Sequence, residues 1–283
     1  MAIGATEGSF AWVESWLAAR YTGVTYTGYL GSWRQCQRYF REKEITTFSA
    51  ITRQHCYDFL LWRKVARNTA YKDLRVLSVI LHEAVLRGLI PANPAAQLRI
   101  KMQPVAKLKP EFPDAILEEI MACILKETSK HREFYRVSFL VARYTGCRLA
   151  ETRFPLSNVD FESNTITFRT KGSHDHTVPL HPKLRPVLKE LAERGQGWTF
   201  AEPSNPNYMS IYWQKFMVKH GIKAKLPFSC FHSLRVTAAT RMARANVSEA
   251  KAMRFLRHGS STIHRVYLRV RVADLEDCCA ALA

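Results

Sequence analysis

Long apolar runs are missing from this chain of 283 residues. No stretch approaches the roughly 18 uncharged apolar residues that a membrane-spanning helix requires, so a transmembrane span is excluded. The opening segment, Met1 to Phe10, holds no basic stretch followed by an apolar one, so no signal peptide is predicted and the expected location is the cytoplasm. Metal-type cysteine pairing is also lacking. The seven cysteines (Cys36, Cys56, Cys123, Cys147, Cys230, Cys278 and Cys279) are scattered and odd in number, with no C-x2-C pair, and read as reduced thiols that mostly serve packing. Acidic side chains are scarce: 24 Asp and Glu face 42 Lys and Arg, a formal charge of +18. With 47% hydrophobic and 23% charged residues, no internal repeat and no low-complexity tract, the chain is too apolar for a disordered basic tail. The charge therefore lies on folded surfaces and calls for an acidic partner. An anionic membrane would normally need an amphipathic anchor as well, and none is evident, which leaves nucleic acid.

At roughly 100 to 200 residues per domain, the length favours two domains. The first hundred residues carry helical stripes: Phe10, Val13, Trp16 and Leu17, then Tyr26, Tyr29, Leu30, Trp33, Cys36 and Phe40. A third stripe joins Cys56, Phe59 and Leu60. A fourth opens at Asn68 as N-cap, carries Leu74, Leu77, Leu81 and Val85, and stops at Gly88 before Pro91. Arg63, Lys64, Arg67, Lys72, Arg75 and Arg87 fall on the outward faces of the last two, where they suit a phosphate backbone or form an ordinary solvated face. Periodicity then lapses in a Lys- and Pro-rich segment. Beyond it the pattern predicts a helix capped by Asp114 and running through Leu125, and another from about Arg132 to Tyr144 closed by Gly146. Thr165–Thr170 and His176–Leu180 flank a turn and read as a β-hairpin, after which helices return. The predicted fold class is mainly α: a four-helix domain over 1–98, a linker over 99–113, and a mixed α/β domain over 114–283 that is mostly helical with a small β-hairpin sheet.

Four separated motifs carry candidate chemistry. Arg148, in Thr145-Gly-Cys-Arg-Leu-Ala-Glu151, follows a helix-ending glycine at the start of a short helix, which suits an anion or a surface ion pair with Glu151. Lys171 sits at the hairpin turn, where an ammonium can reach a leaving oxygen or simply solubilise the tip; His174 and His176 beside it read as exposed hairpin residues. His232 and Arg235 are three apart at a helix start and project from one face. His258 closes Leu-Arg-His-Gly, and Tyr267 follows nine residues later. Singly each has a bland reading. Together, two arginines, a lysine, two histidines and a tyrosine are the parts needed to attack a phosphodiester with a tyrosine hydroxyl. Tyrosine's ordinary pKa is about 10, so reaching phenolate near pH 7 costs about 4 kcal/mol and requires cations and a base. No carboxylate cluster for Mg²⁺ accompanies them, so no metal or cofactor is expected.

The order and spacing of Arg148, Lys171, His232-x-x-Arg235, His258 and Tyr267 resemble the tyrosine recombinases, the phage integrase and Xer-like site-specific recombinases. The resemblance implies a core-DNA-binding domain before the linker and a catalytic domain after it, clamping duplex DNA. It implies that Tyr267 forms a 3′-phosphotyrosyl bond while Arg148, Arg235 and His258 hold the phosphate oxygens. His232 would act as general base or phosphate ligand, and Lys171 as general acid. On the amino-terminal side, Arg63, Lys64, Lys72 and Arg75 are the candidate DNA contacts. Departures from the family pattern are Arg257 where glycine often stands, Val236 after the second arginine, and Leu268-Arg269 after the tyrosine. Expected partners are double-stranded DNA and further copies of the chain, four on paired sites; a nucleoid-associated, mobile-element role follows. Rival readings are a type IB topoisomerase-like relaxing enzyme, a non-catalytic DNA-binding regulator on the same scaffold, and a basic helical scaffold protein. Leu275, Cys278, Cys279 and Leu282 form a last apolar stripe. By resemblance it docks on a neighbouring subunit; otherwise it packs on its own domain.

Overall fold

The computed structural model describes residues 9–96, 98, 108–169, 175–261, 264 and 268. The chain divides into two compact units, Met1–Ala106 and Lys107–Ala283. Lys171, His174, Tyr267 and the tail stripe lie outside the described residues.

In the first unit, α1 (Val13–Arg20), α2 (Gly23–Glu42), α3 (Arg53–Trp62) and α4 (Arg67–Leu86) close round one core. The expected stripes are the buried faces: Val13 and Leu17 on α1, Trp33, Cys36 and Phe40 on α2, Cys56 and Phe59 on α3, and Leu74, Leu77 and Leu81 on α4. Gly88 turns the chain out of α4 with φ +72°, a left-handed value that glycine adopts without a Cβ clash. Asn68 is not the N-cap. Ala66 holds that position with extended ψ, and Asn68 lies inside the first turn. A cap unforeseen in the sequence starts α3: Thr52 Oγ1 accepts from the His55 amide and His55 Nδ1 accepts from the Thr52 amide, both at 3.2 Å.

One polar group ties this apolar bundle together. Asp73 is buried on α4, its Oδ1 accepting from Ser32 Oγ of α2 at 2.7 Å and its Oδ2 from Arg63 Nε, just past α3, at 2.8 Å. Arg63 is thereby held against the bundle, whereas Lys64, Lys72 and Arg75 are exposed. Arg87 pairs with Glu83 at 3.0 Å and lies over the Trp12 ring.

In the second unit, α5 (Asp114–Lys126) and α6 (Arg132–Thr145) lead to an antiparallel sheet in the order β1 (Val159–Asp160), β2 (Thr165–Arg169), β3 (Asp175–Pro179). Helices α7 (Arg185–Glu193), α8 (Pro206–Lys219), α9 (Ile222–Lys225), α10 (Ser233–Arg244) and α11 (Glu249–Leu256) follow. Asp114 is not the N-cap of α5; Pro113 occupies that position and Asp114 sits in the first turn, where its carboxylate meets Arg241 of α10. Hairpin register pairs Ile166 with Val178 and Thr167 with Thr177, so Ile166, Phe168 and Val178 face the core. α6 is the central helix, buried from Phe134 to Ala142 except at Arg136. The segment before α5 is anchored to α10: Thr237 Oγ1 accepts from the Phe112 amide at 2.8 Å, and Arg244 grips Glu111 through both terminal nitrogens at 2.7 and 2.9 Å.

Removing one partner of a buried ion pair leaves an uncompensated charge. Asp73→Leu, which strands Arg63 and Ser32, should lower the unfolding free energy by about 3 kcal/mol, measured as a fall in the urea midpoint at unchanged slope.

Candidate active site

Arg235 is the innermost charged group of the second unit. It projects from the first turn of α10 with no exposed surface, where sequence alone allowed a solvated arginine. Its Nη1 donates to the Gly146 carbonyl at 2.7 Å, its Nη2 donates to the Leu256 carbonyl, and its Nε donates to His258 Nε2 at 3.1 Å. Gly146 closes α6 and Leu256 ends α11, so two helix C-termini aim their negative ends at one guanidinium. The approach is close enough to demand glycine. Gly146 has φ +61°, and a Cβ there would stand 2.4 Å from Leu256 Cδ2 and 3.1 Å from Ala238 Cβ.

Around this cation gather three of the predicted residues. His232, at the N-cap position of α10, is half-buried, and His258, in the turn after α11, is buried. Burial, with Arg235 and Arg148 close by, pushes His232 down to about 4 and His258 down to about 3. Lys109 adds to the effect on His232, and His264 to that on His258. Arg148 lies at the rim with its side chain 46% exposed, capping the short 3-10 turn Leu149–Thr152. Glu151 restrains it twice: Oε1 accepts from Arg148 Nη1 at 2.8 Å and Oε2 from the Arg148 amide at 2.7 Å. The ion pair considered for Arg148 is thus present, at the rim of the cluster. Cys147, between Gly146 and Arg148, is buried, and burial pushes its thiol up to about 12, so it packs and does not react.

Two residues enter the site without having been assigned to it. Arg257 takes the left-handed backbone at φ +59°, and its guanidinium lies buried over the Phe168 ring of β2, 4.6 Å from the centroid. Its Nη2 sits 3.0 Å from Glu151 Oε2, a charge contact off the hydrogen-bonding directions. The missing glycine before His258 was the signal available in sequence. His264 is 2% exposed, with Nδ1 2.7 Å from His258 Nδ1, and sequence offered no sign of it. His176 also differs from expectation. It is half-buried against the end of α11, and burial together with Arg257 lowers its pKa.

The described part of the site is thus a cluster of cations and neutral imidazoles, built from the ends of α6 and α11, the start of α10 and the turn after Gly146. Among the described residues no group of three or more His, Cys, Asp or Glu is placed to hold a metal ion, and no helix is long and apolar enough to cross a membrane. Anion-binding clusters of this kind serve phosphoryl transfer. Residues 114–273 match the phage integrase family and residues 10–101 match the phage integrase SAM-like domain; the chain belongs to that family, the tyrosine recombinases. No curated protein is similar to it in sequence. Among solved structures, a lambda integrase tetramer bound to a Holliday junction is similar at 18% identity and TM-score 0.71, over 92% of this chain and 76% of that one. The Tn1549 transposon integrase in complex with a circular intermediate DNA is similar at 14% identity and TM-score 0.71, over 98% and 100%. The XerH site-specific recombinase bound to difH, in a post-cleavage complex, is similar at 17% identity and TM-score 0.68, over 90% and 79%. At such identities the likeness is one of fold.

Because His232 and His258 titrate below the ordinary 6.5, the unfolded chain binds more protons than the folded one from about pH 6.5 down to about 4 for His232 and about 3 for His258. Their contribution to stability is full above pH 6.5 and is lost as pH falls through that window. Thermal melts across it should show a declining midpoint in the wild type and a shallower decline in His232→Gln; parallel curves would show that His232 titrates normally.

Proposed function

We propose that the chain is a site-specific DNA recombinase or integrase that cleaves and rejoins duplex DNA through a 3′-phosphotyrosyl intermediate. The observation that carries this reading is the convergence of Arg148, His232, Arg235 and His258, from three separate stretches of sequence, in one cluster of a phage integrase family fold. Structures of similar fold hold a Holliday junction, a circular transposon intermediate and a recombination site, which favours strand exchange over simple binding.

In the reaction, the Tyr267 hydroxyl oxygen attacks the scissile phosphorus. The oxygen–phosphorus bond forms as the bond from phosphorus to the 5′ oxygen breaks, and the phosphodiester's energy is kept in the tyrosyl ester. Charge on the non-bridging oxygens grows in the transition state, and the guanidinium groups of Arg148 and Arg235 match it in sign and geometry. His232, neutral at physiological pH, takes the tyrosyl proton; Lys171 gives one to the departing 5′ oxygen. A phosphate in the pocket brings negative charge close to His232 and raises its basicity toward that task. Rejoining reverses these steps with a new 5′ hydroxyl, so neither ATP nor a metal is consumed. The exposed Lys64, Lys72 and Arg75 on the first unit, with Arg63 beside them, contribute to the DNA-binding surface, and several copies act together on paired sites.

Tyr267→Phe removes only the nucleophilic oxygen. On a nicked suicide substrate it should give no covalent protein–DNA band on a denaturing gel while binding within about twofold of wild type, since the phosphate ligands are untouched; a surviving adduct would displace Tyr267 from the reaction.

A protein that neutralises phosphates releases counterions, so log K should fall with log salt at about −0.9 per phosphate contact. Lys72→Ala and Arg75→Ala should each flatten that slope by about one contact's worth. Filter binding at several salt concentrations measures it, and an unchanged slope removes that residue from the interface.

A further inference from the structure

Glu151 gives Arg148 its position and takes away its charge. Oε1 accepts from Arg148 Nη1 at 2.8 Å and Oε2 from the Arg148 amide at 2.7 Å, and the carboxylate side chain is only 10% exposed, so water screens it poorly. An arginine paired in this way is held in place but sums to zero with its partner, and an approaching phosphate meets an anion beside the cation. A second positive charge restores the balance. Arg257 Nη2 stands 3.0 Å from Glu151 Oε2, with its side chain 6% exposed, so two guanidinium charges share one carboxylate.

Arg257 contributes there as a charge and not as a donor. Among the described residues its Nε, Nη1 and Nη2 meet no hydrogen-bond acceptor, whereas buried polar groups are ordinarily satisfied. Its seat is the Phe168 ring, 4.6 Å from the centroid, a face that attracts a cation without a directional bond. The backbone does not call for arginine either, since φ +59° suits glycine better. The field of this charge is felt on the residues around it. At Cys147, where burial raises the thiol, Arg257 pulls the other way, and at His176 it adds to burial in lowering the pKa.

We propose that Arg257 is a positioning residue that serves as counter-ion to Glu151: it balances the carboxylate, so that Glu151 fixes Arg148 without cancelling the positive charge Arg148 presents to a phosphate. The effect on rate rests on the phosphotyrosyl reading; the effect on anion affinity at Arg148 does not.

A double-mutant cycle with Glu151 separates this role from a purely structural one. Arg257→Met keeps an unbranched side chain and drops the charge, Arg257→Lys keeps the charge, and Glu151→Gln removes the charge to be balanced. Inorganic phosphate is titrated into the full chain and followed at the Arg148 Nε–H signal, assigned by its loss in Arg148→Lys. Arg257→Met should weaken phosphate binding roughly tenfold and Arg257→Lys by no more than about threefold, whereas in the Glu151→Gln background Arg257→Met should change it by less than about twofold. Covalent-complex formation on the nicked substrate should follow the same pattern. Equal losses from Arg257→Met in both backgrounds would overturn the proposal, because a residue that only shapes the turn, or that binds phosphate itself, acts whether or not position 151 is charged. A wild type whose Arg148 signal ignores phosphate would overturn it too. Should the methionine variant fail to fold, Arg257→Gly, which relieves the left-handed backbone and removes the same charge, takes its place in the cycle. The expected phosphate pattern with no covalent complex in the wild type would overturn the phosphotyrosyl reading and leave the counter-ion role standing.

Discussion

The second unit is organised by a positive charge placed where water cannot reach it. A bare guanidinium in a protein interior is costly, and Arg235 is made tolerable by two carbonyls that helix geometry leaves unpaired, Gly146 at the end of α6 and Leu256 at the end of α11. Each is also the negative pole of its helix, so α6 and α11 bring to the start of α10 the polarity that favours a cation there. The same contacts that satisfy the arginine therefore set how the helices cross. Gly146 permits the meeting because Leu256 occupies the space its Cβ would need.

The chemistry inherits this arrangement. Burial, with Arg235 and Arg148 beside them, holds the two imidazoles neutral, and neutral histidine can accept a proton where imidazolium cannot. The two arginines differ in their freedom. Arg235 is locked from three directions, a fixed electrostatic floor, while Arg148 stands at the rim, restrained by the Glu151 carboxylate. A preorganised floor with an adjustable wall suits a substrate that gains charge as it reacts.

Much of this was legible in the residues. Helices with one buried face announce themselves by spacing, so the stripes through Trp33 and Phe40 or through Leu74 and Leu81 are the observed core, and Gly88 and Gly146 mark helix ends because left-handed backbone selects glycine. Helix starts were less readable. Asn68 and Asp114 have the right chemistry for N-caps, but the cap falls where the backbone turns, and Ala66 and Pro113 make those turns. Strand β1, two residues long, is too short for any periodicity. Of the predicted site, Arg148, His232, Arg235 and His258 are the members the structure brings together, and they could be picked out as residue types that suit an anion; Lys171 and Tyr267 lie outside the described residues. What spacing does not encode is depth: a solvated and a buried Arg235 look alike in sequence. Nor does it encode pairings across the fold, such as Asp73 with Ser32 or Glu151 with Arg257.

At Arg257 a turn is shaped by a side chain. Glycine enters the left-handed region freely, whereas arginine does so at a cost of about 1–2 kcal/mol, here offset by its seat on Phe168 and its charge contact with Glu151. The turn that presents His258 is thus held in place by the hairpin and by the carboxylate that restrains Arg148, two parts that a glycine turn would leave independent. A substitution at Phe168 or Glu151 would therefore be felt at His258, which makes one turn the mechanical link between three positions far apart in the chain.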